Sequence, residues 1–296
     1  MTSVALHRVT GSGADRFTSQ SAAHISGVAV AALIAELETW PKPGLVSHVD
    51  SGSHTDMTAS TFRDSAAAIE PFLAELAEAG AAGAPMGRLR TIGIAAEHAM
   101  LSATRGVNTH RGAIFGLGLL CAAAGTAWTD ASGLARRRPP GLLCELVRVH
   151  WGQSILGGPI PLHSHGANAL RRHGAGGARA QAAAGFPHAR EVGLPALHFG
   201  RVLAPGNEEA ARVQAFFALL AATEDTNLLH RGGTAGLAYA QAAAADFLAS
   251  GGIAQPDWQD EAERIHRAFI DRRLSPGGCA DLLAITLFLD GLEEHP

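Results

Sequence analysis

Along most of the chain, apolar residues recur every three or four positions, and alternating β-branched runs are absent. From about residue 21 to 39, Ile25, Val28, Ala32, Ile34 and Leu37 fit a helical stripe that Pro41 and Pro43 bring to an end. The same reading predicts helices over 59–79, 91–104, 112–125, 142–155, 166–184, 208–222, 233–250, 258–273 and 279–291. The joints between them are rich in Gly or Pro, as in Arg138-Pro139-Pro140-Gly141, Gly157-Gly158-Pro159-Ile160-Pro161 and Pro276-Gly277-Gly278. Residues 40–58 read as an ordered loop, and residues 1–18, which lack any period, as a flexible tail. Abundant Ala, Leu, Glu and Arg favour helix. The prediction is therefore all-α: one bundle-like catalytic domain over residues 19–296.

Composition narrows the class. Of 296 residues, 47% are hydrophobic and 17% charged, with a net charge of −4, so no basic field invites nucleic acid or an anionic membrane. Cys121, Cys144 and Cys279 show no paired spacing, which argues against a zinc site or disulfide framework and fits a reducing cytoplasm. The longest continuous apolar run, Val28 to Ala35, is too short to span a bilayer.

One phrase occurs twice. Asn108-Thr109-His110-Arg111-Gly112 and Asn227-Leu228-Leu229-His230-Arg231-Gly232-Gly233 each run into an apolar segment. An amide, an imidazole, a guanidinium and a glycine at a helix mouth suit an anion, through a forked cation, a close backbone and free N–H groups. Lys42, framed by Pro41 and Pro43, suits a phosphate contact, and so does the turn carrying Arg273, Ser275, Gly277 and Gly278 ahead of Asp281. His163, His165, Arg171 and Arg179 add basic groups in mid-chain.

Glu97 is the most informative acid. Its helical neighbours Gly93, Ile94, Met100 and Leu101 are apolar, which predicts a carboxylate facing the interior, either functional or paired with Arg88, Arg90 or Arg105. Asp225, just before the second copy of the phrase, is either a capping residue or a Mg²⁺ ligand on phosphate. His54 and Asp56 form a weaker pair in the Gly/Ser loop. Walker A, GxSxG, Rossmann and zinc-hydrolase patterns are all missing. The residues by themselves indicate a helical enzyme that handles a polyphosphate with Mg²⁺.

Taken in order, several phrases resemble the triphosphoribosyl-dephospho-CoA synthase family. They are Pro41-Lys42-Pro43-Gly44-Leu45-Val46, Gly52-Ser53-His54-Thr55-Asp56-Met57, Ile92 to Glu97, Gly106 to Ala113, Ser164-His165-Gly166, Gly185-Phe186-Pro187, Asp225 to Gly233, and Arg273 to Gly278 with Asp281. The malonate decarboxylase branch is the nearer and the citrate lyase branch its sister. Three positions depart from the family pattern: Cys279 stands for Ser, His173 for Tyr, and Gln181 for a frequent acid.

The resemblance implies that ATP and 3′-dephospho-CoA give 2′-(5″-triphosphoribosyl)-3′-dephospho-CoA and adenine. That product is the precursor of an acyl carrier protein's prosthetic group, passed on to a transferase that modifies the carrier. With it come expected roles. Glu97, Asp225, Asp56 and His54 are candidates for catalysis, and Glu97, Asp225 and Asp281 for Mg²⁺. Lys42, Asn108, Thr109, His110, Arg111, Asn227, His230, Arg231, Gly232, Gly233, Arg273, Ser275, Gly277 and Gly278 are expected to bind substrate or phosphate. A homodimer is left open. Two rival readings stand beside this one: a Mg²⁺-dependent helical N-glycoside hydrolase of the ADP-ribose type, and a non-catalytic scaffold that binds an acyl carrier protein.

Overall fold

The computed structural model describes residues 17–130, 139–159 and 175–293, and among them every regular element is helical. In chain order these are α1 (Ser19–Leu37), α2 (Ala59–Ala81), α3 (Met86–Ala103), α4 (Arg111–Asp130), α5 (Leu142–Leu156), α6 (Gly177–Ala183), α7 (Leu194–Leu203), α8 (Glu208–Ala222), α9 (Thr226–Ala249), α10 (Trp258–Asp271) and α11 (Gly277–Glu293). A π turn, Ala189–Gly193, leads into α7, and a 3₁₀ turn, Gly252–Ala254, follows α9. The all-α expectation holds.

Local chemistry sets the starts. Thr18 caps α1 by accepting the Ser21 N–H at 3.2 Å, and Asn207 caps α8 by accepting the Ala210 N–H at 3.0 Å. Pro85 precedes α3, which therefore begins at Met86, ahead of the predicted residue 91. The sequence predicted no helix between 185 and 207, where the π turn and α7 stand. Pro195 lies in the first turn of α7, where its missing N–H costs nothing. The predicted 166–184 helix is described only from its later part, as Gly177–Ala183, and the proposed 1–18 tail lies almost wholly outside the described residues.

One apolar cluster runs from Ala22 to Leu292 and ties α1–α5 to α8–α11. α2 and α4 approach closely enough that a Cβ on Gly80 would lie 1.9 Å from the Ala122 carbonyl oxygen, and one on Gly125 1.9 Å from that of Ala77. Burial of this kind stabilises by about 25 cal/mol per Å² of apolar surface, so these two glycines carry weight by permitting it. By length and composition, α1 and the Arg111–Trp128 part of α4 could cross a membrane; half of the first window and 72% of the second are buried inside the fold. The loop between α1 and α2 folds back onto α10. There buried His266 places Nδ1 2.7 Å from the Lys42 carbonyl oxygen, and Nε2 3.1 Å from both carboxylate oxygens of Asp50.

Candidate active site

The N-terminal ends of α4, α9 and α11 meet around two acids. Asp225 caps α9: Oδ1 accepts the N–H groups of Asn227 (2.7 Å) and Leu228 (3.1 Å). Its Oδ2 accepts the Cys279 N–H at 2.8 Å, so one carboxylate joins the starts of α9 and α11. Asp281, in the second turn of α11, rests against Gly112 at the start of α4; a Cβ there would lie 2.0 Å from Asp281 Oδ2. Asp281 also accepts a backbone hydrogen bond from Ala113. Gly278 gives Asp225 room, and Gly277 gives room to the Asn227 side chain.

Beneath them lies a charge pair the sequence reading did not single out. Glu36 of α1 and Lys42 form a buried ion pair. Burial raises the Glu36 carboxyl and lowers the Lys42 ammonium against the pull of their pairing. The Asp281 carboxyl is pushed well above the ordinary range, first by burial and then by the charges of Glu36 and Asp225. Asp225 is raised by burial, against the three backbone N–H groups and the Cys279 thiol that favour its charge. Glu36 left one signal in the sequence: it is an acid in the otherwise apolar turn Leu33–Leu37, six residues before a rigidly framed lysine.

Lys42 was expected to contact phosphate. Instead it is fully buried against Glu36 and faces away from solvent, because the loop carrying it is pinned to α10. Glu97 departs from expectation too. The buried face of α3 is Leu89, Ile92, Ala96 and Met100, and Glu97 sits one position off it. Its apolar neighbour Ile94 is 49% exposed, and the Glu97 side chain is 32% exposed and bonded to Arg111 Nε at 2.8 Å. Glu97 therefore stands at the rim, paired with an arginine other than the three considered, and does not join Asp225 and Asp281. Among the described residues, no three His, Cys, Asp or Glu side chains group to hold a metal. The Asp225–Asp281 juxtaposition, with its like-charge repulsion, still suits a cation bound mainly through phosphate and water.

The two phrases border the first two turns of α11. In the first, Asn108 Oδ1 accepts the Arg111 N–H at 3.2 Å, and His110 is buried with Nδ1 2.7 Å from Ser65 Oγ. Burial and the Lys42 charge hold this imidazole at about 3. In the second, His230 and Arg231 are exposed. Arg231 reaches the carbonyl oxygens of Ser53 (3.4 Å) and Arg273 (3.2 Å), and Nδ1 of His54 (3.3 Å). His54 Nε2 lies 2.8 Å from Ser275 Oγ, and its Nδ1 3.7 Å from Asp56. Burial and Arg231 together lower the His54 imidazole. Gly232 packs on Leu274, and Gly233, at φ 60° and ψ −162°, breaks α9. The Arg273 side chain is exposed and uses only its carbonyl here.

Arg179 donates to the carbonyl oxygens of Leu156, Gly158 and Pro159 and so closes the end of α5. Gln181 accepts the His188 N–H. His163, His165, Arg171 and His173 lie outside the described residues.

A model of the ATP:dephospho-CoA triphosphoribosyl transferase family matches residues 22–296. The chain belongs to this family. It is similar to the 2-(5″-triphosphoribosyl)-3′-dephosphocoenzyme-A synthase of Pectobacterium atrosepticum, at 41% identity over 87% of this chain and 85% of the relative. Proteins named probable synthases of the same kind match at 40% identity in Pseudomonas putida (90% of this chain, 94% of the relative) and at 38% in Pseudomonas savastanoi pv. phaseolicola (92% of each). No solved structure matches. The chain is thus an enzyme of a transferase family, and the acids, guanidiniums and helix ends around α11 are its candidate site.

Proposed function

We propose that the enzyme transfers the triphosphoribosyl group of ATP to the 2′-hydroxyl of 3′-dephospho-CoA and releases adenine. The observation that carries this reading is the meeting of Asp225 and Asp281 at the joined N-termini of α4, α9 and α11. The bond that breaks joins adenine to C1 of the ATP ribose, and the bond that forms joins that carbon to the acceptor oxygen. The hydroxyl loses one proton and adenine gains one, so the step balances without an added acid or base.

The ribose carbon passes through an oxocarbenium-like state, which a fixed carboxylate stabilises. Asp225, held by three N–H groups, is already oriented for that task and needs no reorganisation. His54, lowered by burial and by Arg231, is neutral at physiological pH and can accept the hydroxyl proton. Glu97 at the rim is the second candidate for that proton. The half-buried guanidinium of Arg111, which Glu97 already pairs, and the exposed one of Arg231, with Asn108 beside the first, would hold phosphates. Asp225 and Asp281 would hold Mg²⁺, which when bound supplies charge neutralisation for the triphosphate. The setting is cytoplasmic, and the product goes to a transferase that loads the acyl carrier protein of a malonate decarboxylase.

Incubation with ATP and Mg²⁺, with and without 3′-dephospho-CoA, tests the reading by chromatography of free adenine. Release that depends on dephospho-CoA is the expected result. Equal release without it indicates a hydrolase, and no release leaves only the scaffold.

A further inference from the structure

His54 has a neighbour at each ring nitrogen, and the two neighbours differ in what they can do. At Nε2, 2.8 Å away, stands Oγ of Ser275, buried in the turn before α11; its hydroxyl can either give or accept. At Nδ1, 3.3 Å away, stands Nη2 of Arg231 on α9, which can only give. The same Nη2 lies farther from Nε2, at 3.5 Å. The Asp56 carboxylate, 3.7 Å from Nδ1, is too far for a hydrogen bond. The backbone holds the ring in place: Ser53 Oγ donates to the Leu274 carbonyl oxygen at 2.6 Å, which ties the residue before His54 to the residue before Ser275.

A neutral imidazole carries one ring hydrogen, and these neighbours decide where. With the hydrogen on Nε2, the ring donates to Ser275, and bare Nδ1 accepts from the guanidinium. With it on Nδ1, Ser275 gains an acceptor for its own hydrogen, but an N–H faces a charged donor. A bond from a charged donor outweighs one from a neutral hydroxyl, so the first form wins. We propose that Ser275 and Arg231 are positioning residues that keep Nδ1 of His54 bare, and that Nδ1 is the atom that takes the proton of the acceptor's 2′-hydroxyl. This rests on the transfer reading above. The guanidinium is exposed, and its bonds to the Ser53 and Arg273 carbonyl oxygens are long, at 3.4 and 3.2 Å, so a hydroxyl that donates to Nδ1 can take its place there. Nδ1 receives the proton as the hydroxyl oxygen bonds to the ribose carbon. The electron pair of the broken bond leaves with adenine, which gains one proton from solvent. The imidazolium so formed has Ser275 on its Nε2 side and the Asp56 carboxylate near Nδ1, and it returns its extra proton to solvent.

The test reads the hydrogen directly. Long-range ¹H–¹⁵N spectra of the ¹⁵N-labelled full chain at about pH 8, above the ordinary 6.5 of the side chain, separate protonated from bare ring nitrogens, and loss of the signal in His54→Gln assigns it. The wild type should show hydrogen on Nε2 and a bare Nδ1. Ser275→Ala should bring in the Nδ1–H form and lower kcat about tenfold with the KM for ATP kept, since Ser275 touches His54 and no substrate. Arg231→Met should move the hydrogen to Nδ1, toward Asp56, and lower kcat about 100-fold, beyond any rise in KM. Arg231 is exposed, so this variant and the wild-type spectrum keep the test sharp should Ser275→Ala fold poorly. An active wild type with hydrogen on Nδ1, or variants that change the ring form without loss of kcat, overturn this proposal alone. A wild type that releases no adenine overturns both readings.

Discussion

Asn108–Gly112 and Asn227–Gly233 spell nearly the same residues, yet the chain builds them differently. The first copy begins its helix: Asn108 caps, His110 turns inward to Ser65, and α4 continues unbroken to Asp130. The second copy is already inside its helix. Asp225 caps, Asn227 lies on Gly277, Arg231 crosses to the loop bearing His54, and Gly233 breaks the helix that the first copy's glycine lets run on. The place of the capping side chain, inside the first phrase and ahead of the second, decides where the helix starts, and the phase of the helix then decides which side chains face the core. The copies are therefore not two equivalent grips. They share one boundary, the first turns of α11, where Asp281 meets Gly112 and Gly277 meets Asn227.

The largest effect is expected at the cap that has no counterpart in the first copy. Asp225→Asn can keep the bonds to Asn227 and Leu228, but its amide would meet the Cys279 N–H donor with a donor, or give up one of the other bonds. Adenine release should fall by about 10³-fold, with a stability loss of about 1–3 kcal/mol. Asn108→Ala removes one cap bond to Arg111 and should cost about 1 kcal/mol with activity largely kept. Steady-state rates and thermal melts of the two variants check this; equal losses of activity would make the copies equivalent after all.

The buried histidine of the first copy gives the next effect. His110 is held at about 3 by burial and Lys42, below its ordinary 6.5. Between those values the unfolded chain binds more protons than the folded one. The contribution of His110 to stability is therefore complete above about pH 6.5 and is lost as pH falls toward 3. At pH 4.5 that loss is up to about 3 kcal/mol. The raised carboxyls of Asp225, Asp281 and Glu36 act with the opposite sign, stabilising as they protonate, so the measurement is a difference. The drop in Tm from pH 7 to 4.5 should be several degrees smaller in His110→Asn than in the wild type. An identical drop would remove His110 from the acid response.

How far this was legible in the sequence can be followed residue by residue. The 3.6-residue period gave the helices because each buries one stripe, and Asp225 carried its own signal as an acid before an apolar run. α7 is absent from the predicted segments, and Pro195 occupies the one turn of it where proline is tolerated. The predicted start of the 233–250 segment marks the Gly233 break rather than the true start of α9 at Thr226. Glu97 was misplaced because apolar neighbours were taken for a buried face, whereas Ile94 belongs to the exposed side. Ser65 and Glu36 act through partners 45 and 6 residues away, on other elements, and pairings across elements leave no periodic trace.

The smallest effect separates the glycines that close the two phrases. Gly233 has open space around its missing Cβ but sits at φ 60° and ψ −162°, a conformation that essentially only glycine adopts. Gly233→Ala should therefore cost about 1–3 kcal/mol in strain, visible in the melt, with KM and kcat changed little. Gly112 differs in kind. It lies in a helix with ordinary backbone angles, and its difficulty is contact, since an alanine methyl would have to displace the Asp281 carboxylate. Gly112→Ala should thus lower activity more than stability. If the break at Gly233 instead positions Arg231 for substrate, Gly233→Ala will raise the KM for ATP. The second copy would then depend on its kink as the first depends on its cap.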